Sequence, residues 1–372
     1  MRMIIIRFIV LYFGVFLMRM QFCKVSALAL LMIPTVGQAV ELAGKKLELY
    51  GKVHLSVDSS DPDVSGEDSQ VSVSNNSSRI GFKGEHAINQ ATTLLWKFEQ
   101  GVDVAEGGGE FAKRNTYLGL KGDFGEVLMG HHDTPSKTLG SKWGMFSDTV
   151  GDRRAIFGAY TGYGNTLNDR GENAILYKNK FNDLEFQAMY SASNPSADVS
   201  GSLDNNDTDL TSVSLKYQND NITVGAAVEN WSQAPKAAAG IEVDNLRVAA
   251  TYKMSDVKLG VIYESTDSDD NVYKRDAFGV NAAYKISKAT DVRVQYMVAD
   301  DYEGQSDSGA TQLALGIFNK LDKVTQIYAV YTNTDNDANA QYQGIDGGHD
   351  DELETALGGS PSSLSVGMVY KF

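Results

Sequence analysis

Two groups of charged residues stand out by type and spacing. Lys52, Arg79 and Lys83 alternate with Val53, Ile80 and Phe82, so in extended chain the cations share one face and the apolar side chains the other. The second group, Asp148, Asp152, Arg153 and Arg154, lies between His131-His132 and Gly171. That connection, about forty residues long, has no convincing strand pattern, and a loop of such length in a compact protein is normally functional or disordered. Its Trp143, Phe146, Phe157, Tyr160 and Tyr163 argue against disorder. Folded inward, the loop would bury those rings and hold its charges opposite the basic face. A basic wall facing an acidic loop across a narrow aqueous opening makes a transverse field that orients polar solutes and penalises apolar ones. The alternative is that these are ordinary solvated charges of a polar interior.

Bond-making chemistry finds little support. The chain has 5 His, of which His54 and His86 fall near strands, and no Ser/His/acid or Asp/His constellation is evident. The 1 cysteine, Cys23, lies in the leading segment, so the mature chain offers no thiol or disulfide. His131 and His132 are adjacent on a strand and point to opposite faces, a poor arrangement for one metal ion. Gly107-Gly108-Gly109 lacks the Lys-Ser/Thr of a phosphate loop. No cofactor is expected. The acidic stretches Asp267-Ser268-Asp269-Asp270 and Gly347-Gly348-His349-Asp350-Asp351-Glu352 read as solvated loop tips, with divalent-cation binding as the alternative. Asp and Glu number 48 against 33 Lys and Arg, which disfavours nucleic acid as a partner.

The elements that must position these charges are strands. Leu364, Val366, Met368, Tyr370 and Phe372 fall on one face, against Ser365, Gly367 and Lys371. The same period of two runs through Leu47–Val57, Val213–Tyr217 and Val292–Val298, an apolar outside over a small or polar inside. Counting such segments gives about sixteen, an even number that suits a closed transmembrane barrel. They lie near 46–58, 77–85, 91–103, 112–121, 125–131, 172–180, 183–191, 209–218, 221–231, 244–254, 256–266, 275–286, 289–300, 309–320, 323–333 and 363–372. The phase of the fourth and fifteenth is ambiguous. Minimal gaps (Phe181-Asn182, Asn219-Asp220, Ser255, Leu321-Asp322) alternate with long acidic ones (59–76, 192–208, 232–243, 267–274, 301–308, 334–362). Tight turns at one end and long loops at the other produce this sorting; a soluble sandwich has no reason for it. Tyrosines near strand ends, among them Tyr50, Tyr117, Tyr177, Tyr190, Tyr217, Tyr252, Tyr263, Tyr284, Tyr328, Tyr331 and Tyr370, suit an interfacial belt.

No stretch after residue 40 approaches the roughly 20 apolar residues of a membrane helix. Residues 1–39 read as an export signal: Arg19 and Lys24, an apolar core from Val25 to Ile33, and Val36-Gly37-Gln38-Ala39 for cleavage. Residues 1–17 read as an upstream extension, an extended n-region or a retained anchor. Residues 40–372 form a single all-β domain.

Leu49-Tyr50-Gly51-Lys52, Ser78-Arg79-Ile80-Gly81-Phe82-Lys83-Gly84-Glu85 and Tyr117-Leu118-Gly119-Leu120-Lys121-Gly122-Asp123-Phe124-Gly125 resemble the opening strands of the general trimeric porins of Gram-negative outer membranes. Asp133-Thr134-Pro135 and the closing Val369-Tyr370-Lys371-Phe372 extend the resemblance over essentially the whole mature chain. The Pro-Glu-Phe-Gly-Gly stretch of enterobacterial members is replaced by Phe146-Ser147-Asp148-Thr149-Val150-Gly151. The resemblance implies a homotrimeric outer-membrane channel for small hydrophilic solutes and ions, with an inward-folded third loop. It implies a basic cluster of Lys52, Arg79, Arg114 and Arg170 facing Asp148 and Asp152. Arg114 shares the phase of Leu118 and Leu120 unless a bulge intervenes. The closing Tyr370 and Phe372 would be read by the barrel-assembly machinery, and lipopolysaccharide would surround the outer loops. The competing functions are an exported non-channel adhesin and an outer-membrane barrel hydrolase. The acidic loops favour cations at the mouth, the basic wall pulls the other way, and the balance leans to cation preference.

Overall fold

The computed structural model describes residues 40–42, 45–109, 111–160, 164–165, 167–192, 208–233, 241–268, 273–349 and 352–372, and the expected export signal lies outside them. Eighteen segments join in one sheet. Val40–Leu42 is a short arm folded back on the next strand, while Gln70–Asn75 and Arg79–Ala87 pair with the same neighbour as two halves of one strand. What results is a closed antiparallel barrel of sixteen strands. They are β1 Lys45–Asp61, β2 (Gln70–Asn75 with Arg79–Ala87), β3 Thr93–Gly101, β4 Thr116–Gly122, β5 Gly125–Asp133, β6 Arg170–Phe181, β7 Leu184–Ser191 and β8 Leu210–Gln218. The second half comprises β9 Ile222–Trp231, β10 Val243–Met254, β11 Val257–Ser268, β12 Arg275–Lys285, β13 Thr290–Ala299, β14 Ala310–Lys320, β15 Thr325–Asn336 and β16 Ser362–Lys371. The ring shuts where β16 pairs with β1, from Lys52↔Lys371 to Asp61↔Ser362. Closure leaves no open edge, the condition for strands to cross hydrocarbon.

Alternation decides which side chains see the lumen. In β16, Leu364, Val366, Met368 and Tyr370 are exposed, whereas Ser363, Ser365 and Val369 are buried. In β1, Lys52, His54, Ser56 and Asp58 are buried on the inner face. The two ambiguous phases resolve through glycine. Tyr328 of β15 points inward because Gly367 opposite it has no side chain; a Cβ there would sit 2.2 Å from the Tyr328 ring. In β4 Leu118 and Leu120 face out, and Gly119 faces in against Leu128. At the C-terminus the Phe372 ring lies over Gly51, and the two residues exchange backbone hydrogen bonds of 2.9 and 3.1 Å.

Two findings correct the sequence reading. Tyr50, Tyr117 and Tyr328 are not belt residues: the Tyr50 hydroxyl donates to Glu99, Tyr117 packs on the Leu95–Leu128 cluster, and Tyr328 bonds His54 at 2.8 Å. Half of the gap 59–76 is strand, because β1 runs on to Asp61 and Gln70–Asn75 pairs with it. Between the halves of β2 the ladder is replaced by other bonds: Asn76 N–H donates to the His54 carbonyl, and His54 N–H to the Ser78 hydroxyl. That irregularity aims Asn76 and Ser78 into the lumen wall.

Replacing Gly367 by Leu should drive a side chain into Tyr328 and cost about 1–3 kcal/mol by overpacking. We expect the folded, fast-migrating form on unheated denaturing gels to lose urea resistance; an unchanged urea midpoint would contradict the packing account.

Candidate pore constriction

The described residues of the third long loop, 134–169 (L3), lie inside the barrel. Thr134 begins it as a helix cap: its hydroxyl accepts from Lys137 N–H at 3.1 Å, and Pro135 follows at the first helical position. The helix α1, Pro135–Trp143, ends at Gly144. Its buried face carries Leu139 and Trp143, which join Ile156, Phe157, Ile262 and Met297 in one apolar cluster against the inner wall. The wall also binds the loop by hydrogen bonds. Arg247 donates to the Ser136 carbonyl, Asn281 to Trp143, Gln295 to Gly151, and Arg275 to Ile156 and Ala159. Glu264 accepts from Gly158 N–H at 2.7 Å and pairs with Arg247 at 2.5 Å. Charges so deeply buried are tolerated because each is paired or hydrogen-bonded. The side chains of Tyr160 and Tyr163 lie outside the described residues.

The loop tip meets β1. Lys52 Nζ lies 2.7 Å from Asp148 Oδ2 and donates to the Asn76 carbonyl at 2.8 Å. Arg154 bridges Asp148 at 2.9 Å and Asp152 at 2.8 Å. Asp152 in turn accepts from Asp148 N–H at 2.7 Å and caps the short 3-10 turn Arg153–Ala155. Asp148 has φ +57°, a left-handed backbone that Asp and Asn tolerate better than most residues. Burial alone would raise its carboxyl; the Lys52 ammonium and Arg154 guanidinium more than reverse this and hold it well below the usual carboxylate range. Asp152 is treated likewise by Arg154. The loop acids are thus held by Lys52 and Arg154 in direct contact, where the sequence suggested an acidic loop facing a basic wall across a gap.

The rest of the basic cluster continues along the wall. Lys52 has Arg79 and Arg114 among its electrostatic neighbours, and Arg170 has Arg114. Arg114 precedes β4, so strand phase does not govern it, and its Nε meets Glu99 at 2.9 Å. Glu99 also accepts from Tyr50 and pairs with Lys97 at 3.1 Å. Arg170 pairs with Asp133 at 3.1 Å, beside Lys137 and Asn115. Arg153 stands apart: it is 4 % exposed, donates to Asn168, and lies over Gly140, where a Cβ would meet its guanidinium at 2.9 Å. It braces the loop from beneath. Lys83 sits at the short-turn mouth, half exposed and paired with Glu48.

Sequence reasoning missed a second inward loop. The gap 334–362 reads as an acidic outer loop, yet in the loop between β15 and β16, residues 337–361 (L8), Tyr342, Ile345, Asp346 and His349 are buried. His349 Nε2 lies 2.9 Å from Asp58 Oδ2, Ser77 donates to the Gly348 carbonyl, and Ile345 packs with Phe146 and Val150. L8 therefore lies against the L3 tip. Burial and nearby Glu352 push the Asp346 carboxyl well above the usual range, opposite to Asp148. The signal that could have exposed L8 is its apolar Tyr342, Ile345 and Leu353 spaced among glycines. Asp269, Asp270, Asp350 and Asp351 lie outside the described residues.

A family model described as Gram-negative porin matches residues 26–339. The chain belongs to the Gram-negative porin family. It is an outer-membrane β-barrel channel. Among similar proteins, the monosaccharide porin of Halomonas sp is 27% identical over 263 residues, covering 65% of this chain and 68% of that one. The major outer membrane protein P.IB of Neisseria meningitidis serogroup B is 24% identical over 331 residues, covering 79% and 98%. The anion-selective porin from Comamonas acidovorans superposes with TM-score 0.74 at 20% identity, covering 88% of this chain and 100% of that chain.

Because its partners depress the Asp148 carboxyl, the Lys52–Asp148 contact stabilises loop docking above the ordinary carboxylate range near pH 4 and is lost only in stronger acid. The Asp148 contribution should therefore persist over this range, so the difference in ion selectivity between the parent and Asp148→Asn should hold from pH 7 to about 4. Asp148→Asn keeps the left-handed backbone and removes one negative charge. Its reversal potential in a KCl gradient should move toward anions, and an unmoved potential would exclude Asp148 from the conducting path.

Proposed function

We propose that small hydrophilic solutes and ions diffuse passively through an eyelet between the wall Lys52, Arg79, Arg114 and Arg170 and the L3 segment Asp148–Arg154. The observation that carries this reading is the placement of L3: it lies inside the closed barrel, and its tip touches β1 at Lys52. A charged loop inside a polar tube narrows the path and keeps it hydrated, which favours polar over apolar permeants. The protein acts as a channel without catalytic chemistry, and no cofactor enters its work. Divalent cations at the outer acidic loops would bridge lipopolysaccharide.

The proposed assembly is a homotrimer; a related solved structure, OmpT of Vibrio cholerae, is described in a trimer form. Support comes from an outer groove of about 730 Å³ lined by Leu55, Val57, Val73, Ile327, Val366 and Met368, continuous from β14 through β16 to β1 and β2. Phe111 is 71 % exposed and stacked on Phe98 outside β3. Residues 1–39 serve as the cleaved export signal, and Phe372 with Tyr370, stacked at 6.0 Å on the outer face, presents the assembly signal.

Single-channel recording of the purified mature protein, with sugars of increasing size, tests the channel reading. Stepwise conductance with a sharp sugar-exclusion limit is expected, and a silent bilayer would overturn it. Deleting Phe372 should lower trimer yield in cells severalfold while detergent refolding in vitro persists. Normal cellular yield would remove the residue from any assembly role.

A further inference from the structure

The long-loop and short-turn ends of the barrel differ in charge. The loop between β13 and β14 carries Asp300, Asp301, Glu303 and Asp307 with no Lys or Arg. Beneath L3, toward the short turns, the inner face changes sign. A pocket of about 280 Å³ is walled by Gly144 and Met145 of L3 and by Lys253, Lys258, Lys285 and Arg293 of β10–β13. Because L3 residues line it, the pocket opens on the lumen.

Many lumenal cations outside this patch are paired. Lys121 and Lys178 are held by Glu126, and Lys216 by Glu185. Arg293 is spent on Asp291 at 2.5 Å, on the Met145 carbonyl at 2.6 Å and on the Phe318 ring at 3.6 Å. Lys253, Lys258 and Lys285 form no ion pair among the described residues, and Asp256 is the pocket's one other acid. Three unpaired ammoniums converging on a recess bounded by low-dielectric walls focus a positive potential there. Lysine binds oxyanions as a mobile point charge, without the fixed fork of arginine.

We propose that this recess is an oxyanion-binding subsite, taking a small multivalent carboxylate or phosphate on the short-turn side of the constriction. It rests on the channel reading and adds sidedness to it. Cations gather at the acidic outer mouth, while anions dwell inside the inner vestibule. The channel is thereby electrically polar along its axis, and the cation preference expected from acidic composition does not extend to the inner half. A multivalent oxyanion arriving from the short-turn side reaches the lysines without passing L3; from the other side it must first cross the acidic loops and the eyelet.

The test is a planar-bilayer recording of the full mature protein in KCl, with tripolyphosphate or citrate added to one side at a time. Block should need about tenfold less of either probe on the short-turn side than on the loop side. It should weaken as KCl rises from about 0.1 to 1 M, where the screening length falls from about 10 to 3 Å. The triple variant Lys253→Gln, Lys258→Gln, Lys285→Gln should conduct KCl normally and lose the sided block, whereas the corresponding triple Arg variant retains it. Whichever probe blocks at the lower concentration identifies the ligand as phosphate-like or carboxylate-like. Equal block from both sides, or block of the Gln variant like that of the parent, would overturn the subsite while the KCl steps still report a working channel. Absence of KCl steps would instead overturn the channel reading.

Discussion

Everything else in this structure depends on the hydrogen bonds between the last strand and the first. A sheet of this size, left open in hydrocarbon, would expose two rows of unpaired backbone groups, each costing several kcal/mol. The pairing of Ser362–Lys371 with 52–61 removes both edges at once. The terminal residue takes part directly: Phe372 exchanges backbone hydrogen bonds with Gly51, and its ring lies where any side chain at 51 would clash. Two glycines, Gly51 outside and Gly367 inside, clear the space for Phe372 and Tyr328 at this seam.

Closure creates an interior that must be polar, and the chain then fills much of it with its own loops. L3 is attached in two ways. Its aromatic side lies against β10–β13 with Trp143 and Phe157 in edge-to-face contact at 5.7 Å, an arrangement that removes apolar surface from water. Its polar side ends in the Lys52, Asp148, Arg154 and Asp152 chain, which leaves no carboxylate of the tip without a cation. L8 lies against the same tip through His349, Ile345 and Gly348. The constriction is therefore a three-part contact between β1, L3 and L8, and a change in one part must be felt by the others. Charge left over after this internal pairing, on Arg79 and on the short-turn lysines, remains for solutes.

The barrel, its strand count, its lipid and lumen faces and the inward identity of Lys52 were all legible in the residues, because a two-residue period bounded by turn signals is a local property. The sorting of gaps into short and long likewise follows chain order. Local pattern failed in β4, where Gly119 rather than an apolar residue marks the inner face, and in β15, where a tyrosine, Tyr328, satisfies either side. Arg114 was assigned a strand phase that its place before β4 does not give it. Glu99 and Asp133, the acids that pair with Arg114 and Arg170, carry no sequence mark, since a carboxylate on a lumenal strand looks the same paired or free.

The wall follows from the residues alone: which segments extend, which face each takes, and that the tube must close. The filling of that tube does not. Whether Asp148 meets Lys52, whether Arg153 lines the path or braces the loop, and whether residues 337–361 leave the barrel or enter it depend on contacts between segments up to about three hundred residues apart, as in the pair Asp58–His349. Period and spacing encode a residue's relation to its neighbours in the chain. They are silent on which distant charge will stand across the lumen to neutralise it.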